Sequence, residues 1–306
     1  MIQADLIIEG AAELVTLAGP ASRPRLGDEM RELGILRRGA LAVRRGKIVW
    51  VGPTADLLTA VHPLAFCKLI DATGKTVMPG LVDPHTHLVF AGSRENEFAL
   101  RIQGKTYPEI AAAGGGIHAT VAATRAAHKA DLKDAARRTL DTMLTLGTTT
   151  VEAKSGYGLD IANEIKMLEV IRELEEAGPA TVVPTFLGAH EIPPEFRQCP
   201  EAYVDLVITR MIPLVASRKL ARFCDVFCET GVFSVNQTER IFRAARTVGL
   251  ELRVHADELT DLGGAAMAAR LKARTADHLL YANDEGIRAM AEAGVIAVLL
   301  PGTAYF

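Results

Sequence analysis

The chain has 306 residues, 49% hydrophobic and 23% charged; it can bury one large core, or one large and one small, and is too apolar to remain disordered. Lys and Arg total 34 against 37 Asp and Glu, a formal charge of -3 with no separated basic block, so the electrostatic footprint of a nucleic-acid or anionic-membrane binder is absent. No stretch reaches 18 continuous apolar residues, and Met1-Ile2-Gln3-Ala4-Asp5 lacks the basic and apolar regions of a secretory signal, so a cytoplasmic protein with no membrane span is expected.

Residues 1–78 carry short β-type runs separated by turn signals. Leu6-Ile7-Ile8, Leu41-Ala42-Val43, Lys47-Ile48-Val49-Trp50-Val51 and Lys68-Leu69-Ile70 are divided by Gly46, Gly52-Pro53 and Gly74-Lys75, a pattern that predicts small antiparallel strands. Only Leu57 to Ala60 suggests a helix in this stretch. We read it as a small N-terminal β-sandwich domain.

From residue 79 to 306 the pattern becomes strand, loop, helix, repeated. Strands are predicted at 79–82, 149–152, 180–186, 224–228, 251–255, 275–279 and 295–300, and helices near 131–146, 161–177, 201–221, 236–248, 263–271 and 284–293. Asp131 is placed to cap the first helix, and Asp160 or Asn163 the second. Strands alternating with helices require a parallel sheet with right-handed crossovers. Polar, chemically capable residues follow most strands, which points to a TIM-like (β/α)8 barrel with its site at the carboxyl end. The rival is a doubly wound sheet, but Gly114-Gly115-Gly116 does not turn directly from a strand into a helix as a nucleotide loop does. No eighth strand is found before Phe306. The barrel is therefore expected to lack its last strand, with apolar first and seventh edges open to solvent and the chain unstable unless a partner or swapped segment completes it.

The cysteines Cys67, Cys199, Cys224 and Cys228 are expected to be reduced. The Cys224 and Cys228 pair is either half of a metal site or two buried strand residues; no second thiol pair follows, and the alternation fits a strand.

Chemistry concentrates at the predicted strand ends. In Asp83-Pro84-His85-Thr86-His87 the period of two sends both imidazoles to one side of an extended segment, so His85 and His87 form a pre-oriented metal-ligand pair. His255 closes Leu252-Arg253-Val254-His255 and is either a third zinc or iron ligand or a packed histidine. Glu258 follows as a general base or a solvated loop carboxylate. His190 and His278 also stand at or near strand ends, whereas His62, His118 and His128 fall in turns or helices and are assigned no chemistry. Arg94, on the first long loop, either captures a substrate carboxylate or closes a surface salt bridge. Tyr157, flanked by Gly156 and Gly158, either donates into a cleft or packs its loop. Ser155 lacks a nucleophile-elbow context.

Several longer runs resemble one family. Val82 through Phe98, Arg101-Ile102-Gln103-Gly104-Lys105-Thr106-Tyr107, Ala113-Gly114-Gly115-Gly116-Ile117, Glu152-Ala153-Lys154-Ser155-Gly156-Tyr157-Gly158, Phe186-Leu187-Gly188-Ala189-His190, His255-Ala256-Asp257-Glu258 and Ala276-Asp277-His278-Leu279 are similar to the signatures of the imidazolonepropionases, metal-dependent amidohydrolases of histidine degradation. The resemblance runs through essentially the whole chain. It implies hydrolysis of the cyclic-amide C–N bond of 4-imidazolone-5-propanoate, giving N-formimidoyl-L-glutamate, by a metal-activated water. His85, His87 and His255 become ligands of one divalent zinc or iron ion. Glu258 and His278 handle the water and its proton, Arg94 and Tyr157 take the propionate end, and His190 faces the ring carbonyl region.

The resemblance also implies a homodimer at full length and a β domain finished by a C-terminal segment. The family's aspartate ligand after the eighth strand has no counterpart here, so the chain resembles a C-terminally truncated member, and Asp277 is no substitute for it. A related cyclic amidohydrolase, a deaminase and a non-catalytic subunit are the alternatives.

Overall fold

A computed structural model describes residues 1–20, 23–105, 109 and 114–305. Thr106, Tyr107 and Ala113, which contribute to the family resemblance, lie outside the described residues. Two compact units divide the chain, Met1–Gly80 and Leu81–Phe306.

In the first unit β1 (Ile2–Val15), β2 (Ile35–Arg44), β3 (Lys47–Pro53), β4 (Val61–Asp71) and β5 (Thr76–Val77) form one sheet of order β3-β2-β1-β4, with β5 also beside β1. Arg45 and Gly46 join β2 to β3 with φ of 51° and 73°, both left-handed, as a two-residue hairpin loop requires. The predicted antiparallel order holds for β1, β2 and β3, but β1 pairs in parallel with β4 and β5. A crossover through the single-turn helix α1 (Leu57–Ala60) returns the chain to the far side of β1 in the same direction. Successive residues of β2 serve different faces: Ala40 and Ala42 pack with Ile7 and Val61, while Leu41 packs with Leu14 and Ala72.

The second unit is a parallel sheet of order β12-β11-β10-β9-β8-β7-β6, a TIM-like barrel one strand short of closure. Its strands are β6 (Leu81–Thr86), β7 (Thr148–Lys154), β8 (Thr181–Ala189), β9 (Phe223–Cys228), β10 (Glu251–Ala256), β11 (Thr275–His278) and β12 (Ile296–Val298). Between them run α2 (Glu95–Ile102), α3 (Ile117–Ala126), α4 (Lys129–Thr145), α5 (Ile161–Ala177), α6 (Pro200–Leu206), α7 (Ile212–Ser217), α8 (Val235–Thr247), α9 (Gly264–Arg270) and α10 (Asp284–Ala293).

Asp160 caps α5 by accepting from the Asn163 backbone N–H at 2.7 Å. Asp131 does not cap α4; His128 holds that position and Asp131 sits in the first turn, where a carboxylate still favours the positive end of the helix dipole. The single helix predicted over 201–221 is instead α6, a π-helical turn at Val207–Met211, and α7, which carries Pro213 near its start. Cys224 and Cys228 are buried, unpaired residues of β9.

The edges are β6 and β12, and Leu81, Val82, Ile296 and Leu299 at or beside them are exposed. Among the described residues no helix is long and apolar enough to cross a membrane.

Candidate metal centre

Pro84 has no N–H to give to a ladder, and the pairing of β6 with β7 shifts register between Asp83 and Thr86. The bulged segment is tied down on every side. The Asp83 carboxylate accepts from the His85 N–H at 3.2 Å, the Thr86 hydroxyl donates to the Glu152 carbonyl at 2.7 Å, and the Arg253 guanidinium donates to the Pro84 carbonyl at 2.6 Å. His85 and His87, at the end of this segment and just beyond it, bring their rings to 5.4 Å between centroids.

There they meet three more histidines. His190 follows β8, His255 is the fifth residue of β10, and His278 ends β11. Ring centroids are 4.6 Å apart for His85 and His255, 5.1 Å for His85 and His278, 5.2 Å for His255 and His278, and 4.8 Å for the stacked pair His87 and His190. Two triads bring a ligand atom from each member within 4.8 Å of the others: His85, His255 and His278, and His87, His190 and His255. The strand-end reading thus finds all five histidines, and the expected trio of His85, His87 and His255 is spread over both triads, joined at His255.

The donor set fits a divalent ion. His85 Nδ1 lies 2.6 Å from Asp277 Oδ2, His255 Nδ1 lies 3.0 Å from Asp225 Oδ1, and His190 Nδ1 lies 2.9 Å from the Gly156 carbonyl. Carboxylates and carbonyls only accept, so each Nδ1 carries the hydrogen and each Nε2 keeps a lone pair, the arrangement by which outer carboxylates orient metal-binding histidines. His255 Nε2, His87 Nδ1 and His278 Nδ1 are buried without a hydrogen-bond partner among the described residues. Burial and the neighbouring positive groups hold His87 well below the usual histidine pKa. Burial also lowers His190 and His278 to about 4 and takes His255 well down. Neutral imidazoles with unpartnered nitrogens are what a zinc or iron site requires, and the cluster is a single-ion site built from histidine.

Glu258 sits on the loop after β10. Its Oε1 is 3.3 Å from His278 Nδ1, near enough to pair yet too poorly aligned for a hydrogen bond. Burial, with the nearby negative charge of Glu229, raises its carboxyl to about 7. Glu229 also fixes this loop, accepting from the backbone N–H groups of Leu259 at 2.8 Å and Thr260 at 3.3 Å.

A cavity of about 260 Å³ opens beside His87 and is lined by Phe90, Gly92, Ser93, Arg94, Thr120 and Tyr157. Tyr157 packs its ring 5.4 Å from His87 and 5.3 Å from His190. Among the described residues no carboxylate pairs with the exposed Arg94. The loop carrying Tyr157 is clamped by the buried Glu164 carboxylate, which accepts from the backbone N–H groups of Gly156, Gly158 and Leu159 at 3.1, 2.8 and 2.9 Å.

Sequence reasoning missed the charged layer that braces the histidines: Glu152, Lys154, Asp225, Arg253 and Asp277, each buried. Its signal was present, since charged residues inside strands as apolar as Phe223–Cys228 face inward only when they are partnered.

A family model described as the amidohydrolase family matches residues 68–124, and one for the imidazolonepropionase-like composite domain of bacteria matches residues 39–60. The chain is 55% identical over 302 residues to the imidazolonepropionase of Symbiobacterium thermophilum, covering 98% of this chain and 70% of that protein. The chain belongs to the imidazolonepropionase family. The imidazolonepropionase of Geobacillus kaustophilus is 53% identical, with 98% of this chain and 71% of the relative covered. The chain therefore spans about 70% of the length of these curated relatives. Among solved structures, 5-methylcytosine deaminase from Klebsiella pneumoniae superposes with a TM-score of 0.63 at 17% identity, covering 95% of this chain and 65% of that one. Guanine deaminase from C. acetobutylicum gives 0.61 at 13%, covering 98% and 68%; at these identities the likeness concerns the fold.

Proposed function

We propose that the chain hydrolyses the cyclic-amide C–N bond of 4-imidazolone-5-propanoate to give N-formimidoyl-L-glutamate, with His85, His87 and His255 holding one zinc or iron ion. The observation that carries this reading is the cavity lined by both His87 of the imidazole cluster and Arg94. One substrate that bears a carboxylate on a short arm and a hydrolysable ring fits both ends. When bound, the ion supplies Lewis acidity toward a water and the ring carbonyl.

The protein's own groups do the rest. Arg94 receives the propionate in a charge-assisted pair and the Tyr157 phenol donates to it, while His190 faces the ring carbonyl. Glu258, with its carboxyl raised to about 7, accepts a proton from the attacking water as its oxygen bonds to the carbonyl carbon. The tetrahedral adduct collapses, the bond from carbon to ring nitrogen breaks, and the carbonyl carbon becomes a carboxylate. Glu258 and His278, 3.3 Å apart, carry the proton to the departing nitrogen. The family assignment extends the reading to a homodimer, and to the cytoplasm, where the four free cysteines are at home.

The test is hydrolysis of the imidazolone by the zinc- or iron-loaded chain in 18O-labelled water. Formimidoyl-glutamate carrying one labelled oxygen in its new carboxylate is the expected product. Ammonia release without ring opening would replace the reading with a deaminase, and no reaction at all would overturn it.

A further inference from the structure

Lys154, the last residue of β7, has a completely buried side chain. Its ammonium Nζ lies 2.7 Å from Asp225 Oδ2, 2.9 Å from Glu152 Oε1 and 3.6 Å from Asp277 Oδ2. Two of these carboxylates are the ones that hold the histidines: Asp225 uses its other oxygen for His255, and Asp277 uses the same oxygen for His85. A single cation therefore joins the supports of two imidazoles that arise from different strands. Arg253 is the second cation of the layer, 3.2 Å from Asp277 Oδ2, yet no ion pair or hydrogen bond joins it to Asp225 among the described residues. Three carboxylates against two cations leave one surplus negative charge buried beside a site for a divalent ion.

We propose that Lys154 is a positioning residue for the metal centre, fixing Asp225 and Asp277 and through them the ring rotations of His255 and His85 that aim Nε2 at the ion. Without the ammonium Asp225 keeps no Lys or Arg partner among the described residues and repels Asp277 in a dry layer, while Asp277 keeps only the Arg253 guanidinium. The imidazoles they steer then lose their common focus. Arginine does not substitute, because its planar fork cannot converge on three carboxylate oxygens as a compact ammonium does.

The inference rests on the reading that these histidines hold an ion, and the experiment separates the two. Zinc affinity of the full chain is measured by competition with a chromophoric chelator, and the visible spectrum of the cobalt-loaded protein reports ligand geometry. Wild type that binds neither metal overturns the metal reading itself. If wild type binds, K154M is expected to weaken zinc about 10–100-fold, the range for loss of an outer-layer partner, and to shift the cobalt bands.

In a D277N background the same substitution should cost clearly less, because one of the two arms through which Lys154 acts has been cut; a residue that merely supports the fold would add its full effect. K154M that folds and binds zinc as wild type does, or an undiminished effect in D277N, overturns the proposal. Should K154M not fold, K154M/D225N, which removes a carboxylate together with its cation, is compared with D225N. About tenfold weaker zinc binding through the remaining arm supports the proposal, and equal binding overturns it.

Discussion

Glu258 Oε1 stands 3.3 Å from His278 Nδ1, so the carboxyl raised to about 7 on the loop after β10 faces an imidazole that burial lowers to about 4. A proton taken up by the carboxyl has a neighbour through which to leave. Glu258→Gln keeps the shape and removes the proposed base. We expect its kcat to fall roughly 10²–10⁴-fold while zinc or iron content, read by elemental analysis, stays at the wild-type level. Near-normal turnover removes Glu258 from the base role.

Arg94 lines the same cavity as His87 and Tyr157. Arg94→Met should lower kcat/KM roughly 10–100-fold, the worth of a charge-assisted hydrogen bond. Most of the change belongs in KM, because the proposed contact would hold the propionate equally in the ground and transition states. Steady-state kinetics on the imidazolone, alongside an analogue lacking the carboxylate, checks this: the variant and wild type should treat the analogue alike.

Gly158 has no room for a side chain. A Cβ there would meet Glu164 N at 2.4 Å and Asn163 C at 2.6 Å, both backbone atoms at the start of α5. Gly158→Ala must push the loop off the Glu164 clamp, and we expect about 1–3 kcal/mol of lost stability in denaturant unfolding. A rise in KM should accompany it, as Tyr157 moves with the loop. Unchanged stability would show that the helix start yields instead.

Glu173 on α5 pairs with Lys129 at 2.7 Å and Lys133 at 2.8 Å on α4. The hydrogen bonds from Lys129 and Lys133 draw its carboxyl down from 4.5 to about 2. A depressed folded-state pKa contributes stability that is present above the unfolded value and vanishes as pH falls through the folded one. The wild-type advantage over Glu173→Gln should therefore be constant above about pH 5 and disappear between about pH 4.5 and 2. Its size is at most about 1 kcal/mol for so solvated a pair, and salt should reduce it. Melting curves of both proteins across that window test the sign.

Most of the barrel's strands are legible in the chain because strands and helices alternate and several strands, such as Phe223–Cys228, are apolar runs. What that reading cannot contain is how far apart strand ends fall once the sheet curls. His85, His87, His190, His255 and His278 all stand out as strand-end histidines, yet the grouping into triads that share His255 depends on the spacing of β6, β8, β10 and β11 around the barrel. The π-helical turn at Val207–Met211 is similarly silent, because one extra residue in a turn scarcely disturbs an apolar stripe. Lys154 and Asp225 look like ordinary charges until their strands are packed; only the three-dimensional layer shows that they answer each other across 2.7 Å.

His255 belongs to both triads, but its Nδ1 is committed to Asp225 and only Nε2 is left. One lone pair makes one coordinate bond, so the two triads cannot each hold an ion at the same time. Titrated with zinc, the centre should saturate at a single equivalent. The proposed trio of His85, His87 and His255 takes one member from each triad around that single lone pair, which makes His255 the one ligand that no arrangement of the ion can do without.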